Sequence, residues 1–461
     1  MRNHSDWQFA WGDSTVDLTP PEFVQAQTTR FEPDTANAFL GYADYRKHLE
    51  EAIGFPLNQP RFETRIGPGS KVAVVVDDPS RWSPLGWCVP IILEKLASTG
   101  VESADISIVF GVGRHASVSR ADMARKLGTE TINKYNCFSP PLDDLSQYED
   151  LGISADGVPV RVFKPVAKAD LRILIGSVLP HLQAGFGGGW KLVFPGCSHR
   201  TTLGAIHQQG LDGQAARLLG CSPIDNPMRQ AISRAAKLLP GSTISVSHVI
   251  GRNSHEIFEV MAGEPDDLEM RLATIAKQRF EFKSDKQTKL ADLIIVGNAP
   301  WPGDPMHSFK VLLNHRAACK KGGVLAGVFW TDPAEIGRSF PLGPAKWIAR
   351  SGRAGAIATR IGLPLAEKIA AMTGSSKRFM MRWARELVVD RKVIVYSPQM
   401  KELFGRRLGS VSIAGNPDEF WSMIANATGH APNATLFPYG GLTYAASKER
   451  VENHFGFLGQ S

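Results

Sequence analysis

No run of about 18 or more apolar residues occurs in the 461-residue chain, so it offers no candidate for a bilayer-crossing helix. The opening Met1-Arg2-Asn3-His4-Ser5-Asp6-Trp7 lacks the apolar segment of a secretory signal. These absences lead us to expect a soluble, cytoplasmic protein with no membrane partner. Cysteine is scarce: Cys88, Cys137, Cys197, Cys221 and Cys319 lie far apart, are odd in number and form no C-x-x-C pair. That pattern excludes a disulfide framework or a cysteine-rich zinc site and reads as reduced thiols. Blocks of like charge are missing too. The formal net charge is +7 and the pI about 9.1, but lysines and arginines are scattered among acids, which disfavours a nucleic-acid partner and favours a small anionic ligand.

What is present is a repeated β-branched strand followed by a helix. At 461 residues the chain exceeds what one hydrophobic core usually serves, so two domains are expected. Residues 1–70 are rich in proline, aromatic and charged residues with little period, and read as an arm joining the first domain. Strands are predicted at 71–76, 104–111, 171–176, 244–251 and 293–297, and helices at 90–98, 119–127, 227–238 and 267–280. The strand at 71–76 is β-branched without alternation, as in a strand buried on both faces. A polar stretch at 283–288 separates a first α/β domain, 71–282, from a second, 289–461, with further strands at 323–329, 392–397 and 434–438. The fold class is therefore α/β: two domains with largely parallel sheets and an active-site cleft between them.

In such sheets ligands bind beyond the carboxyl ends of the strands. Four loops there carry chemistry. In Asp77-Asp78-Pro79-Ser80-Arg81-Trp82, an acid and an arginine three apart can lock each other and leave the guanidinium fork for a carboxylate or phosphate. The bland reading is a capping Asp beside a surface Arg. Gly111-Val112-Gly113-Arg114-His115 ends a strand on a histidine, a residue more often structural than catalytic when alone. The most specific loop runs from Leu179 to Gly196, with His181, Lys191 and five glycines, among them Gly187, Gly188 and Gly189. Its glycines expose backbone N–H groups or let a flat ligand approach closely. It matches neither G-x-x-x-x-G-K-[ST] nor a G-x-G-x-x-G dinucleotide fingerprint, and a plain flexible loop is the alternative. His207 follows, adding a metal-capable imidazole, while Lys191 supplies an amine able to form a covalent link. The fourth loop, after 293–297, places His307 and Lys310 at the start of the second domain.

Together these loops resemble the lactate racemase family, whose members carry a nickel-pincer nucleotide. The resemblance spans roughly residues 53–445 and centres on His-x-x-Ala-Gly-Phe-x-Gly-Gly-x-Lys with Pro-Gly following. It implies that His115 and His181 are the acid/base pair, that Lys191 holds the cofactor through a thioamide beside Gly187, Gly188 and Gly189, and that His207 ligates nickel. It further implies that Asp78, Arg81 and Lys310, with His307, hold an anionic substrate, and that separate biosynthetic proteins supply the cofactor. The implied reaction is inversion at C2 of a small 2-hydroxy acid by hydride transfer through a 2-keto acid, with one imidazole on each side of the substrate. Met306-His307 stands where the family commonly has Tyr-Gln, and Trp82 and Trp190 replace the Pro and Arg often seen there. Those departures point to a larger or differently polar acid than lactate, sugar acids included. Two other readings are a nicotinamide-dependent 2-hydroxy acid dehydrogenase, disfavoured by the missing dinucleotide fingerprint, and a catalytically idle ligand-binding relative, disfavoured by the joint presence of His115, His181, Lys191 and His207.

Overall fold

The computed structural model describes residues 7–447 apart from 26–27, 34–37, 40, 116, 211–214, 284–289, 302, 340–341, 374–377, 389 and 430–431. Most of the boundary predicted at 283–288 lies outside the described residues. The chain forms two compact units, one drawn mainly from residues 35–279 and the other from the described residues before 35 together with those from 280 onward.

The first unit is built on a six-stranded sheet in the order Ile257–Gly263, Ser242–Ile250, Leu171–Ser177, Val72–Asp77, Ile106–Gly111, Asn136–Phe138. All neighbours are parallel except the pair formed by Ser242–Ile250 and Ile257–Gly263. Every residue of Val72–Asp77 is buried, as its unbroken β-branched sequence requires of a central strand covered on both faces. Helices Leu85–Ser98, Arg120–Leu127, Pro227–Ala236 and Pro265–Phe280 fall where the sequence periodicity puts helices. Ser119 caps one by accepting from the Asp122 amide, and Asn226 caps another by accepting from the Arg229 amide. One core of this unit gathers Val75, Leu174, Trp190, Phe194 and Ile232 on one side of the sheet.

The second unit carries a seven-stranded sheet in the order Arg407–Leu408, Val411–Ala414, Lys392–Tyr396, Cys319–Val328, Ala291–Gly297, Ala434–Phe437, Thr28–Arg30. Only Arg407–Leu408 runs antiparallel to its neighbour. Here the structure corrects the reading of residues 1–70 as an arm of the first domain. Thr28–Arg30 pairs in parallel with Ala434–Phe437, and Phe9, Leu18 and Val24 enter the core of the second unit beside Leu293 and Phe420. The rest of that segment belongs to the first unit, where the Tyr42–Gly54 helix buries Tyr45, Leu49 and Ile53.

Candidate active site

From Val72–Asp77 the chain proceeds first to Ile106–Gly111 on one side and later returns to Leu171–Ser177 on the other. The two loops leaving Asp77 and Ser177 therefore diverge, which opens a crevice at the carboxyl ends of the central strands. A cleft lies there, lined by Asp77, Asp78, Arg81, Ser177, His181 and Lys191 together with Gly187 and Gly188.

The two adjacent acids are held differently. Asp77 ends its strand fully inside the fold, where Oδ2 accepts from Ser83 Oγ at 2.5 Å, and Ser83 Oγ also lies 2.6 Å from Ser177 Oγ. Its Oδ1 is buried with no hydrogen-bond partner. Burial pushes the Asp77 carboxyl up to about 7, against the pull of Ser83 and of the nearby Lys126 and Arg81. Burial acts on Asp78 in the same sense, but His115, Arg81 and Ser80 outweigh it and hold that carboxyl well below the ordinary range. Asp78 Oδ2 lies 3.3 Å from His115 Nδ1 and 3.6 Å from Arg81 Nε, and Oδ1 accepts from the Ser80 amide at 2.9 Å. The mutual lock of Asp78 and Arg81 expected from their spacing is present, with His115 added.

The two histidines have opposite settings. His115 Nδ1 faces Asp78 Oδ2, so in the neutral ring the proton sits on Nδ1 and the lone pair on Nε2. His181 sits in a short hairpin of Pro180–His181 and Gly185–Phe186, where its Nδ1 accepts from the amides of Gln183 at 3.2 Å and Ala184 at 3.1 Å. An accepting Nδ1 puts the ring proton of His181 on Nε2.

Behind the glycines lies a buried pair that the sequence reading missed. Arg229 donates to the carbonyls of Phe186 at 2.6 Å, Gly187 at 2.7 Å and Gly188 at 3.1 Å, and lies 3.8 Å from Glu269. Glu269 accepts from Ser247 Oγ at 2.9 Å, and burial pushes its carboxyl up to about 7 although Arg229 opposes this. Gly188 and Gly189 have φ of +86° and +54°, and a Cβ at either would come within 2.8 Å and 2.5 Å of the Glu269 side chain. Glycine is therefore required at both for conformation and for space.

His207 lies on the Arg200–Gln209 helix, with Nδ1 2.7 Å from the Leu203 carbonyl; donation there leaves Nε2 as the nitrogen able to bind a metal. It is not among the residues lining the cleft. Lys310 and His307 belong to the second unit. On the Pro305–His315 helix, His307 is buried against Trp301 with Nδ1 2.5 Å from Asp304, and Lys310 Nζ sits 5.1 Å from the centre of the Trp383 ring. Trp190, read from the sequence as a departure beside the site, packs into the core cluster of the first unit. Asp77, an acid closing an apolar strand, was not singled out from the sequence; Arg229 and Glu269 gave no local signal.

Residues 11–218 match the family model described as the lactate racemase N-terminal domain. A lactate racemase of Thermoanaerobacterium thermosaccharolyticum is 25% identical over 285 residues, covering 60% of this chain and 64% of the relative. One from Lactiplantibacillus plantarum is 27% identical over 159 residues, 34% of this chain and 37% of the relative. The chain thus spans less than two thirds of the curated relatives it matches. Among solved structures, the lactate racemase apoprotein of T. thermosaccharolyticum superposes with a TM-score of 0.74 at 19% identity, over 95% of this chain and 99% of that one. A structural-genomics protein from Thermotoga maritima gives 0.62 at 15% identity, over 91% of this chain and 100% of that one. At these identities the structural likeness establishes the shared α/β fold.

Proposed function

We propose that this chain, whose residues 11–218 match the lactate racemase N-terminal domain, is an isomerase of that family inverting C2 of a small anionic 2-hydroxy acid. The observation that carries the reading is a cleft lined by His181, Lys191, Arg81 and Asp78, with a second imidazole, His115, 3.3 Å behind Asp78 and set oppositely to His181. His115 Nε2, with its lone pair, takes the alcohol proton, and Asp78 stabilises the imidazolium that forms. His181, with its proton on Nε2, donates to the substrate oxygen presented from the other side. For His181 to act as the base instead, its proton has to move to Nδ1, and the two amide hydrogen bonds there have to yield. Arg81, fixed by Asp78, offers its remaining guanidinium donors to the carboxylate. We assign Lys310 and His307 to substrate binding on the resemblance alone.

The resemblance implies a nickel-pincer nucleotide. The residues present fit such a group: Lys191 is in the cleft lining, the orphaned buried Oδ1 of Asp77 offers a hydrogen-bonding site, and glycine backbone at 187 and 188 permits close approach. Lys191 would carry it through a thioamide, supported by Gly187, Gly188 and Gly189, and His207 would ligate the nickel through Nε2. When bound, the group supplies the acceptor and donor of the hydride, so that passage through a planar 2-keto acid erases the stereocentre. The Met306-His307 sequence favours an acid larger than lactate or differently polar.

The test is intact mass and nickel content after co-expression with the proteins that build the cofactor, for wild type and Lys191→Ala, followed by chiral chromatography of 2-hydroxy acids. A mass increment and nickel that vanish in the variant, together with inversion by the wild type, are expected. An unmodified wild type, under conditions that load a control racemase, would overturn the reading.

A further inference from the structure

The longest helix of the second unit, Gly352–Met372, is built inside out for a soluble protein. Gly355 is its one buried residue among those described. The side turned toward its own unit carries, beside the half-buried Leu363, small or polar groups: Thr359 comes so close to Gly409 that a Cβ there would lie 2.6 Å from its hydroxyl, the Ala356 carbonyl accepts from Ser410 Oγ at 3.1 Å, and Glu367 pairs with Arg385 at 2.9 Å. The other large aliphatic side chains point the opposite way. Ile357, Ile361, Leu365, Ile369 and Met372 recur at spacings of four, four, four and three, which puts them on one stripe, and they are 60%, 69%, 59%, 52% and 87% exposed. Trp347, on the preceding Leu342–Arg350 helix, is 68% exposed. A contiguous apolar stripe of this kind marks a surface that something covers.

Charge selects the occupant. Residues 342–372 hold five basic side chains, Lys346, Arg350, Arg353, Arg360 and Lys368, and one acid, Glu367, already paired with Arg385. Pairing of two such helices from separate copies would bring like charges together. It would also bury little: one face of a 21-residue helix is about 30 Å by 10 Å, roughly 300 Å², against about 800 Å² per partner in a stable interface. A basic helix with a broad aliphatic face and a nearby exposed tryptophan suits the boundary of an anionic bilayer. No helix of the described residues is long and apolar enough to cross a membrane, so the contact is one of lying on the surface.

We propose that the Ile357–Met372 stripe and its flanking basic residues dock this protein on anionic lipid surfaces. The proposal is independent of the racemase reading and replaces the expectation of no membrane partner, which rested on the absence of a spanning segment. The experiment is co-sedimentation and flotation of the full chain with phosphatidylcholine vesicles, with or without phosphatidylglycerol. It uses wild type, Ile361→Glu/Leu365→Glu and Arg353→Glu/Arg360→Glu, with circular dichroism to confirm that each variant is folded. Wild type is expected to bind only the vesicles containing phosphatidylglycerol, with affinity falling as salt rises, and each variant to lose about tenfold or more. Absence of binding, or binding unchanged in the folded variants, would overturn the proposal. So would a wild-type dimer by light scattering that Ile361→Glu/Leu365→Glu renders monomeric, since the stripe would then belong to a second copy.

Discussion

Burial pushes Asp77 up to about 7, while the adjacent Asp78 is held well below the ordinary carboxylate range by His115, Arg81 and Ser80 despite its own burial. A carboxyl raised in the folded state contributes stability that is present below its unfolded pKa, near 4, and is lost as pH rises to about 7. Asp77→Asn mimics the protonated form, so its melting temperature should gain on wild type across that window. The difference should reach on the order of 2–4 kcal/mol above pH 7; parallel curves for the two proteins would contradict this account. Asp78 predicts the opposite kind of effect. Asp78→Asn keeps the shape but removes the charge that sets the His115 tautomer, and kcat for inversion should fall by about 10²–10⁴. Adding His115→Ala to that variant should cost little more, because the two act as one unit. That Asp78, Arg81, His181 and Lys191 share one cleft lining was legible because loops after buried strands are where such folds open clefts. Asp77 was not singled out, since its character comes from burial, and Trp190 was misread because sequence adjacency to Lys191 does not say which way a ring points.

The glycine loop is shaped from behind by the helices Pro227–Ala236 and Pro265–Phe280, through Arg229 and Glu269. Removing one member of a buried pair strands the other. Arg229→Met leaves three carbonyls without their donor and Glu269 without its counter-charge, and should cost about 3–5 kcal/mol. Glu269→Gln alone should cost less, because burial already raises this carboxyl toward its neutral form. The double variant should be less damaged than the sum, a coupling measurable by chemical denaturation of all four proteins. The strands and helices around this loop were readable from periodicity, with boundaries shifted by a few residues, because buried parallel strands and amphipathic helices write their burial into local sequence. The Tyr42–Gly54 helix was missed: its buried Tyr45, Leu49 and Ile53 keep a spacing of four, but charged residues and an apolar Ala-Ile-Gly-Phe ending obscure it. Arg229 and Glu269, 40 positions apart, become partners only through the fold, and no window of sequence shows that.

Two units, each with its own sheet and core, account for the chain, and their number and class were readable from length and alternation. Membership was not: a three-residue edge strand joined to a distant partner carries no periodic signal. Deleting residues 1–34 should therefore weaken the second unit. Hydrogen exchange should quicken in Ala434–Phe437 and Ala291–Gly297 and stay slow in Val72–Asp77 and Ile106–Gly111; equal loss in both sheets would contradict this assignment. The same pairing sets a clock during synthesis. Thr28 leaves the ribosome about 400 residues before Ala434, which at 5–20 residues per second is a wait of roughly 20–80 s. For all that time Phe9, Leu18 and Val24 have no completed core to enter, whereas the last strand of the first unit's sheet, Ile257–Gly263, emerges about 170 residues before Ala434. The nascent chain thus displays its earliest apolar residues longest, and they are the segment a chaperone is best placed to hold.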